Sequence, residues 1–191
     1  MFYKRAASLI LCGASALSVA VFAQSSGQTS SSTSAKDKMF VKTAAEGGLA
    51  EVQLGQLAAQ KASSPDVKSF GQKMVTDHTA LNDSMKPIAE RMGVTVPTTL
   101  SAKDQALYDR LNGMSGAAFD RAYVRAMVAD HHKDLKEFTE EMNTTKDPDL
   151  KAAVTHGHDV IKEHTDMADQ LSKSNGGMAG MNHGGSQSPS Q

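Results

Sequence analysis

Apolar residues recur along this chain in alternating steps of three and four. At 3.6 residues per turn that spacing draws one continuous stripe down the face of an α-helix. Four such stripes occur. The first runs through Phe40, Ala44, Gly47, Glu51, Leu54 and Ala58, between Ala35 and Lys61. The second, Val67–Met92, carries Val67, Gly71, Met74, His78, Leu81, Met85, Ile88 and Met92. The third spans Gly116–Thr144 with Phe119, Tyr123, Met127, His131, Leu135, Phe138 and Met142. The fourth holds Leu150, Val154, Gly157, Ile161, His164, Ala168 and Leu171 and ends near Ser174. One ionisable residue interrupts each stripe: Glu51, His78, His131 and His164.

Local signals bound these helices. Ser34 is a suitable N-cap for the first, with Asp37 at the third helical position. Ser63-Ser64-Pro65-Asp66 reads as a tight turn with proline in the first helical turn, and Asp147-Pro148-Asp149 repeats that grammar before the fourth helix. Pro87 should kink the second helix, and Gly93 should stop it. Gly47 and Gly48 weaken the first helix by about 1 kcal/mol each but would let a neighbouring backbone approach. Asp120, Arg121, Lys133, Lys136, Glu137 and Glu140 fill the solvated side of the third.

Gly93–Ser115 is too long for a hairpin. Val94–Leu100 looks extended around Pro97, and Ser101 caps a short helix that continues to Asn112, where Leu107 and Tyr108 should pack it onto the rest. Such a segment could span roughly 40 Å, the length of the second helix. The chain therefore reads as two helical hairpins joined by one long crossover, an internal duplication. Facing apolar stripes then bury each other in an all-α, ferritin-like four-helix bundle, with the short helix on the crossover between helices 2 and 3.

Composition trims the picture at both ends. Residues 1–23 read as a signal peptide: Lys4 and Arg5 precede the uncharged run Ala6–Phe22, and Val21-Phe22-Ala23 offers a small-x-small cleavage site. Cleavage there would leave 168 of the 191 residues and remove Cys12, which excludes disulfides and thiol chemistry. It would also remove two positive charges, taking the formal net charge from −1 to −3. No basic run survives, so nucleic acid is not an expected partner, and no stable membrane span remains. Export to the periplasm or cell envelope of a bacterium follows. Residues 24–34 form a Ser/Thr/Gln linker expected to be disordered, 35–173 the bundle, and 174–191 a disordered Gly/Met/Ser tail. Met178, Met181 and His183 on that tail are soft ligands that could capture Cu(I), against the plainer reading of a solubilising tail.

The four stripe-breaking residues lie twelve to seventeen positions from the middle of their turns, which places them within about 5 Å of one level. A buried imidazole or carboxylate must be hydrogen-bonded or metal-bound. Three imidazoles and one carboxylate suit a single divalent transition-metal ion (Zn, Fe, Cu or Ni), with Glu51, His78, His131 and His164 as ligands. Asp77, Asp130, Asp134 and Glu163 are the outer or reserve ligands. The competing reading is a self-satisfied cluster in which Glu51 pairs with one protonated histidine and the others bond water or Tyr123. His132 and His158 lie off the stripes, and His156 is a reserve nearer the seam.

Several segments also resemble a known family. Phe40-Val41, Glu46 to Glu51, Met74-Val75-Thr76-Asp77-His78, Tyr123-Val124 and Met127-Val128-Ala129-Asp130-His131 are similar to the exported bacterial family designated domain of unknown function 4142, over Lys36–Ser172. The resemblance implies a ferritin-like bundle and brings no established reaction. The outer-membrane label that the family often carries fits poorly, because no alternating strands could form a barrel. Di-iron sites of the ferritin type place a Glu three residues before the histidine on two helices. Val75 and Ile161 stand there instead, which leaves one metal or none. The leading expectation is a non-enzymatic envelope protein acting in maintenance or stress. A metal-dependent redox enzyme of ferritin-like type is the alternative, and a module docking an envelope protein is a third.

Overall fold

The computed structural model describes residues 34–178, with side chains described through 174. The expectations for residues 1–33, and for the tail beyond Met178, lie outside the described residues. The helices are α1 (Ala35–Lys61), α2 (Pro65–Met92), α3 (Ala102–Asn112), α4 (Gly116–Thr144) and α5 (Pro148–Met178). Among the described residues there is no strand, and no helix is long and apolar enough to cross a membrane.

Capping chemistry places the boundaries. Ser34, Ser64 and Ser101 accept hydrogen bonds from Asp37 N, Val67 N and Asp104 N, and Pro65 occupies the first turn of α2. Gly93 ends α2 in the left-handed conformation at φ 68°, a geometry that glycine adopts without a Cβ clash. Pro87 lies inside the helix. Asp147 caps α5 through Leu150 N and Asp149 N. α5 continues to Met178, past the end near Ser174 set by its stripe. Ser172–Asn175 contains no proline to stop it.

The two hairpins lie side by side, with α2 beside α5 and α1 beside α4. Their ends are tied reciprocally. Asp120, at the start of α4, accepts hydrogen bonds from Ser63 N (3.0 Å), Ser64 N (2.9 Å) and Ser63 Oγ, closing the α1–α2 turn. Arg91, at the end of α2, makes a bidentate pair with Asp147 (2.7 and 3.0 Å) in the α4–α5 turn. α4 thus begins beside the α1–α2 turn, so the crossover runs the length of the bundle, the ferritin-like connection. Asp120 is not on the solvated side as its flank position suggested. It is buried because the backbone N–H groups of a turn need an acceptor there.

Two apolar clusters fill the interior. Leu54, Phe70, Met74, Phe119, Tyr123 and Met127 pack toward the α1–α2 turn, with Leu111 of α3 buried among them and Leu107 and Tyr108 against them. Val41, Ile88, Met92, Leu150 and Val154 pack toward the other end. Each large side chain so buried contributes about 1.5–3 kcal/mol. The close backbone approach is at Gly55 and Gly71 rather than at Gly47 and Gly48. A Cβ on Gly55 would lie 2.8 Å from the Gly71 carbonyl oxygen. At Gly48 the neighbour is the Asn82 side chain, which a Cβ would strike. Between the two clusters lies the polar layer.

Candidate metal centre

Each of the four stripe-breaking residues reaches the interior because it occupies an apolar position of its helix. Glu51 is 2% exposed, His78 3%, and His131 and His164 0%. One ring nitrogen from each of the three histidines lies within 4.8 Å of the others. The ring centroids are 5.1 Å apart for His78–His164, 5.5 Å for His131–His164 and 5.8 Å for His78–His131. The Phe70 ring, 6.2 Å from His164 and 6.4 Å from His131, closes the side toward the larger apolar cluster.

Hydrogen bonds orient His131 and His164, and a short contact with a carboxyl group flanks His78. His131 Nδ1–H donates to the Met127 carbonyl at 3.0 Å, which leaves Nε2 with its lone pair. His164 Nε2–H donates to Asp77 Oδ2 at 2.8 Å, leaving Nδ1 to face His78 Nε2 at 3.2 Å. His78 Nδ1 meets Glu51 Oε2 at 2.8 Å. Each imidazole is therefore held by its outer nitrogen and turns the other inward. Metal-binding histidines are held in the same way, with the outer ring nitrogen engaged by a carboxylate or a backbone carbonyl. Two nitrogens at about 2.0–2.1 Å from one tetrahedral ion would stand about 3.3 Å apart, close to the His78–His164 separation.

Two atoms in this layer have no hydrogen-bond partner among the described residues, His131 Nε2 and Glu51 Oε1. They approach each other to 3.4 Å, near enough for attraction but without hydrogen-bonding geometry. Tyr123 Oη is also unpartnered, so the tyrosine does not satisfy a histidine here. Leaving such groups unpaired costs about 1–3 kcal/mol each.

Burial sets the protonation states. It pulls His78 down to about 4 and also lowers His131 and His164, with Glu51 opposing at His131 and Asp77 at His164. It pushes Glu51 up to about 7, against the attraction of His131. Partial burial also works against ionisation of Asp77. The hydrogen bonds from His164 and Lys73 outweigh it and hold this carboxylate below its usual range. The three rings are consequently neutral near pH 7, the form in which imidazole binds metals.

The outer residues divide. Asp77 is half-buried and pairs with His164 of another helix, not with the adjacent His78. Lys73 braces it at 2.9 Å. Glu163 is exposed and reaches only Lys73, at 3.2 Å, because its position on α5 faces solvent. Asp130 and Asp134 gather with Glu51, their carboxylate oxygens within 4.8 Å. His132 and His158 pair with Asp169 and Asp159 away from the layer, and His156 is exposed. The side chains of Met178, Met181 and His183 lie outside the described residues.

Sequence spacing missed the cavity. A space of about 430 Å³ lies under the α2–α3 connection, lined by Val96 and Pro97 of that segment and by Phe40, Met85 and Phe138 of the helices. Its inner wall includes Glu51, His78, Asp130 and Asp134. Phe40 and Phe138, which stack edge to face at 4.9 Å, lie on stripes yet remain half-buried, and no spacing in the sequence marks the space beside them.

Architecture and interior together define an antiparallel four-helix bundle with a single crossover and a histidine-rich polar layer. The chain belongs to the family described as Domain of unknown function (DUF4142), which matches residues 22–171. Two solved structures share the fold. CopM in the Cu(I)-bound form aligns with a TM-score of 0.62 at 20% identity, covering 74% of this chain and 96% of that one. A DUF305 fragment from Deinococcus radiodurans aligns with a TM-score of 0.57 at 12% identity, covering 77% and 97%. No curated protein matches the chain.

Proposed function

We propose that this bundle is an exported metal-binding protein that holds one transition-metal ion on His78, His131 and His164. The carrying observation is the orientation of the three rings. Glu51, Asp77 and the Met127 carbonyl each engage an outer nitrogen, and three inner nitrogens converge with no acidic proton donor supplied to His131 Nε2. Borderline imidazole donors suit copper, zinc, nickel or iron, and the likeness to a Cu(I)-bound structure adds support for copper. When bound, the ion supplies the positive charge that the converging lone pairs lack.

The protein's residues prepare the site by holding protons elsewhere. Without an ion, His78 Nε2–H donates to His164 Nδ1, and the protonated carboxyl of Glu51 stands 2.8 Å from His78 Nδ1. Freeing the His78 Nε2 lone pair moves the Glu51 proton across the 2.8 Å contact to His78 Nδ1. One proton leaves, and Glu51 becomes the carboxylate that steadies the ring. Glu51 thus acts through His78, in place of the direct ligand role its stripe position suggested.

A self-satisfied cluster accounts for His78 and His164 by this same proton chain. It leaves His131 Nε2 and Glu51 Oε1 unpaired. Metal analysis of the full chain after separate reconstitution with Cu(I) and Zn²⁺ discriminates. One equivalent retained through desalting, and lost in His131→Ala, is expected. Sub-stoichiometric metal in both cases would refute the reading. The physiological setting we infer is metal handling in envelope maintenance or stress.

A further inference from the structure

Beyond the histidines, α4 carries Asp130 and Asp134 one turn apart, and α1 brings Glu51 against them. All three carboxylates place an oxygen within 4.8 Å of the others. Lys133 is a neighbouring cation. Its ammonium bonds Asp134 Oδ1 at 3.1 Å and Glu137 Oε2 at 3.0 Å, while the side chain stays half exposed. A group of acids on an open surface needs no special account, because water and salt screen it. This group is different. Glu51 is 2% exposed and its Oε1 has no partner among the described residues, while the Asp134 side chain is 16% exposed. His131 Nε2, equally unpartnered, lies 3.4 Å from that same Oε1. The trio also forms an inner wall of the 430 Å³ cavity, which has room for a cation that keeps part of its hydration.

We propose that Glu51, Asp130 and Asp134 bind a second cation, a hard divalent ion of the Mn²⁺ or Mg²⁺ type, through carboxylate oxygen and retained water. Oxygen-only donors beside a cavity with room for retained water select against the softer ions that imidazole prefers. Glu51 belongs to both places: Oε2 meets His78 Nδ1, and Oε1, 3.4 Å from His131 Nε2, has no hydrogen-bond partner among the described residues. Only this linkage rests on the histidine reading; the carboxylate site stands without it.

Metal-free full chain titrated with Mn²⁺ alone, followed by loss of the free-ion EPR signal, tests the proposal. One Mn²⁺ per chain is expected. Affinity should fall about tenfold or more in Asp130→Asn/Asp134→Asn, and by less than about threefold in His164→Ala. Far-UV circular dichroism should show both variants helical, since Asn removes repulsion without changing size. No Mn²⁺ uptake, or uptake unchanged in the double Asn variant, would overturn the proposal. Equal loss in His164→Ala would overturn it too, by placing Mn²⁺ among the imidazoles. Retention of Cu(I) by the double variant, with its loss in His131→Ala, separates the two sites whichever of them fails.

Discussion

The imidazole trio and the carboxylate trio are neighbours that share Glu51, yet their surroundings prepare them oppositely. His78, His131 and His164 are buried, Phe70 backs His131 and His164, and each ring meets a partner at one nitrogen. Asp130 and Asp134 face a cavity, and Lys133 is the cation paired with Asp134 among the described residues. Burial disfavours charge in both, lowering the histidines and raising Glu51 and Asp134 to about 7. The consequences differ in kind. A neutral imidazole is ready to bind metal, whereas a protonated carboxyl must first lose its proton. Water exclusion therefore favours one trio as a ligand set and holds the other in reserve until a cation arrives.

Variants should pull the two trios apart. His131→Ala removes a converging nitrogen and should weaken transition-metal binding by more than about 100-fold, read by competition with a chromogenic chelator. Glu51→Gln keeps the size but loses the anionic acceptor of His78. A decrease of about 10–100-fold is expected in the same assay, and proton release on metal binding, measured by calorimetry in buffers of different ionisation enthalpy, should change with it.

Asp134→Asn acts on stability. The folded chain keeps Asp134 protonated up to about 7, with burial the main cause and the Glu51 and Asp130 charges adding to it. The unfolded chain ionises in the ordinary carboxylate range, so stability is lost as pH rises between the two. The Asn variant should be more stable than the parent by about 1–2 kcal/mol near pH 8 and equal to it near pH 3, by urea denaturation of metal-free protein. The buried histidines run the other way. Their depressed folded-state values make stability fall as pH drops below the ordinary imidazole range toward about 4 at His78. His132→Asn, which touches only the exposed Asp169 pair, should change stability by less than about 0.5 kcal/mol and metal affinity not at all.

Much of this architecture was legible in advance, because helix periodicity and capping are local. Ser34, Ser64, Ser101 and Gly93 bound their helices as their chemistry requires. The common level of Glu51, His78, His131 and His164 followed from counting turns, since neighbouring helices of a hairpin share an origin. Ring orientation was not legible. It depends on Asp77 crossing to His164 and on Glu51 reaching His78 Nδ1, both contacts between helices. Asp120 was misjudged for the same reason, its partners lying on the turn of another hairpin. The cavity depends on how Val96 and Pro97 drape over α1 and α4, which no periodicity encodes.

X-ray absorption at the copper edge of protein loaded with one equivalent of Cu(I) goes straight to the inner ligands. The three converging imidazoles predict a first shell of nitrogen alone, about 2.0 Å away, with the outer-shell scattering of intact histidine rings. A shell dominated by sulfur, drawn from the methionines, or one lacking the ring signature would contradict the assignment of the metal to His78, His131 and His164.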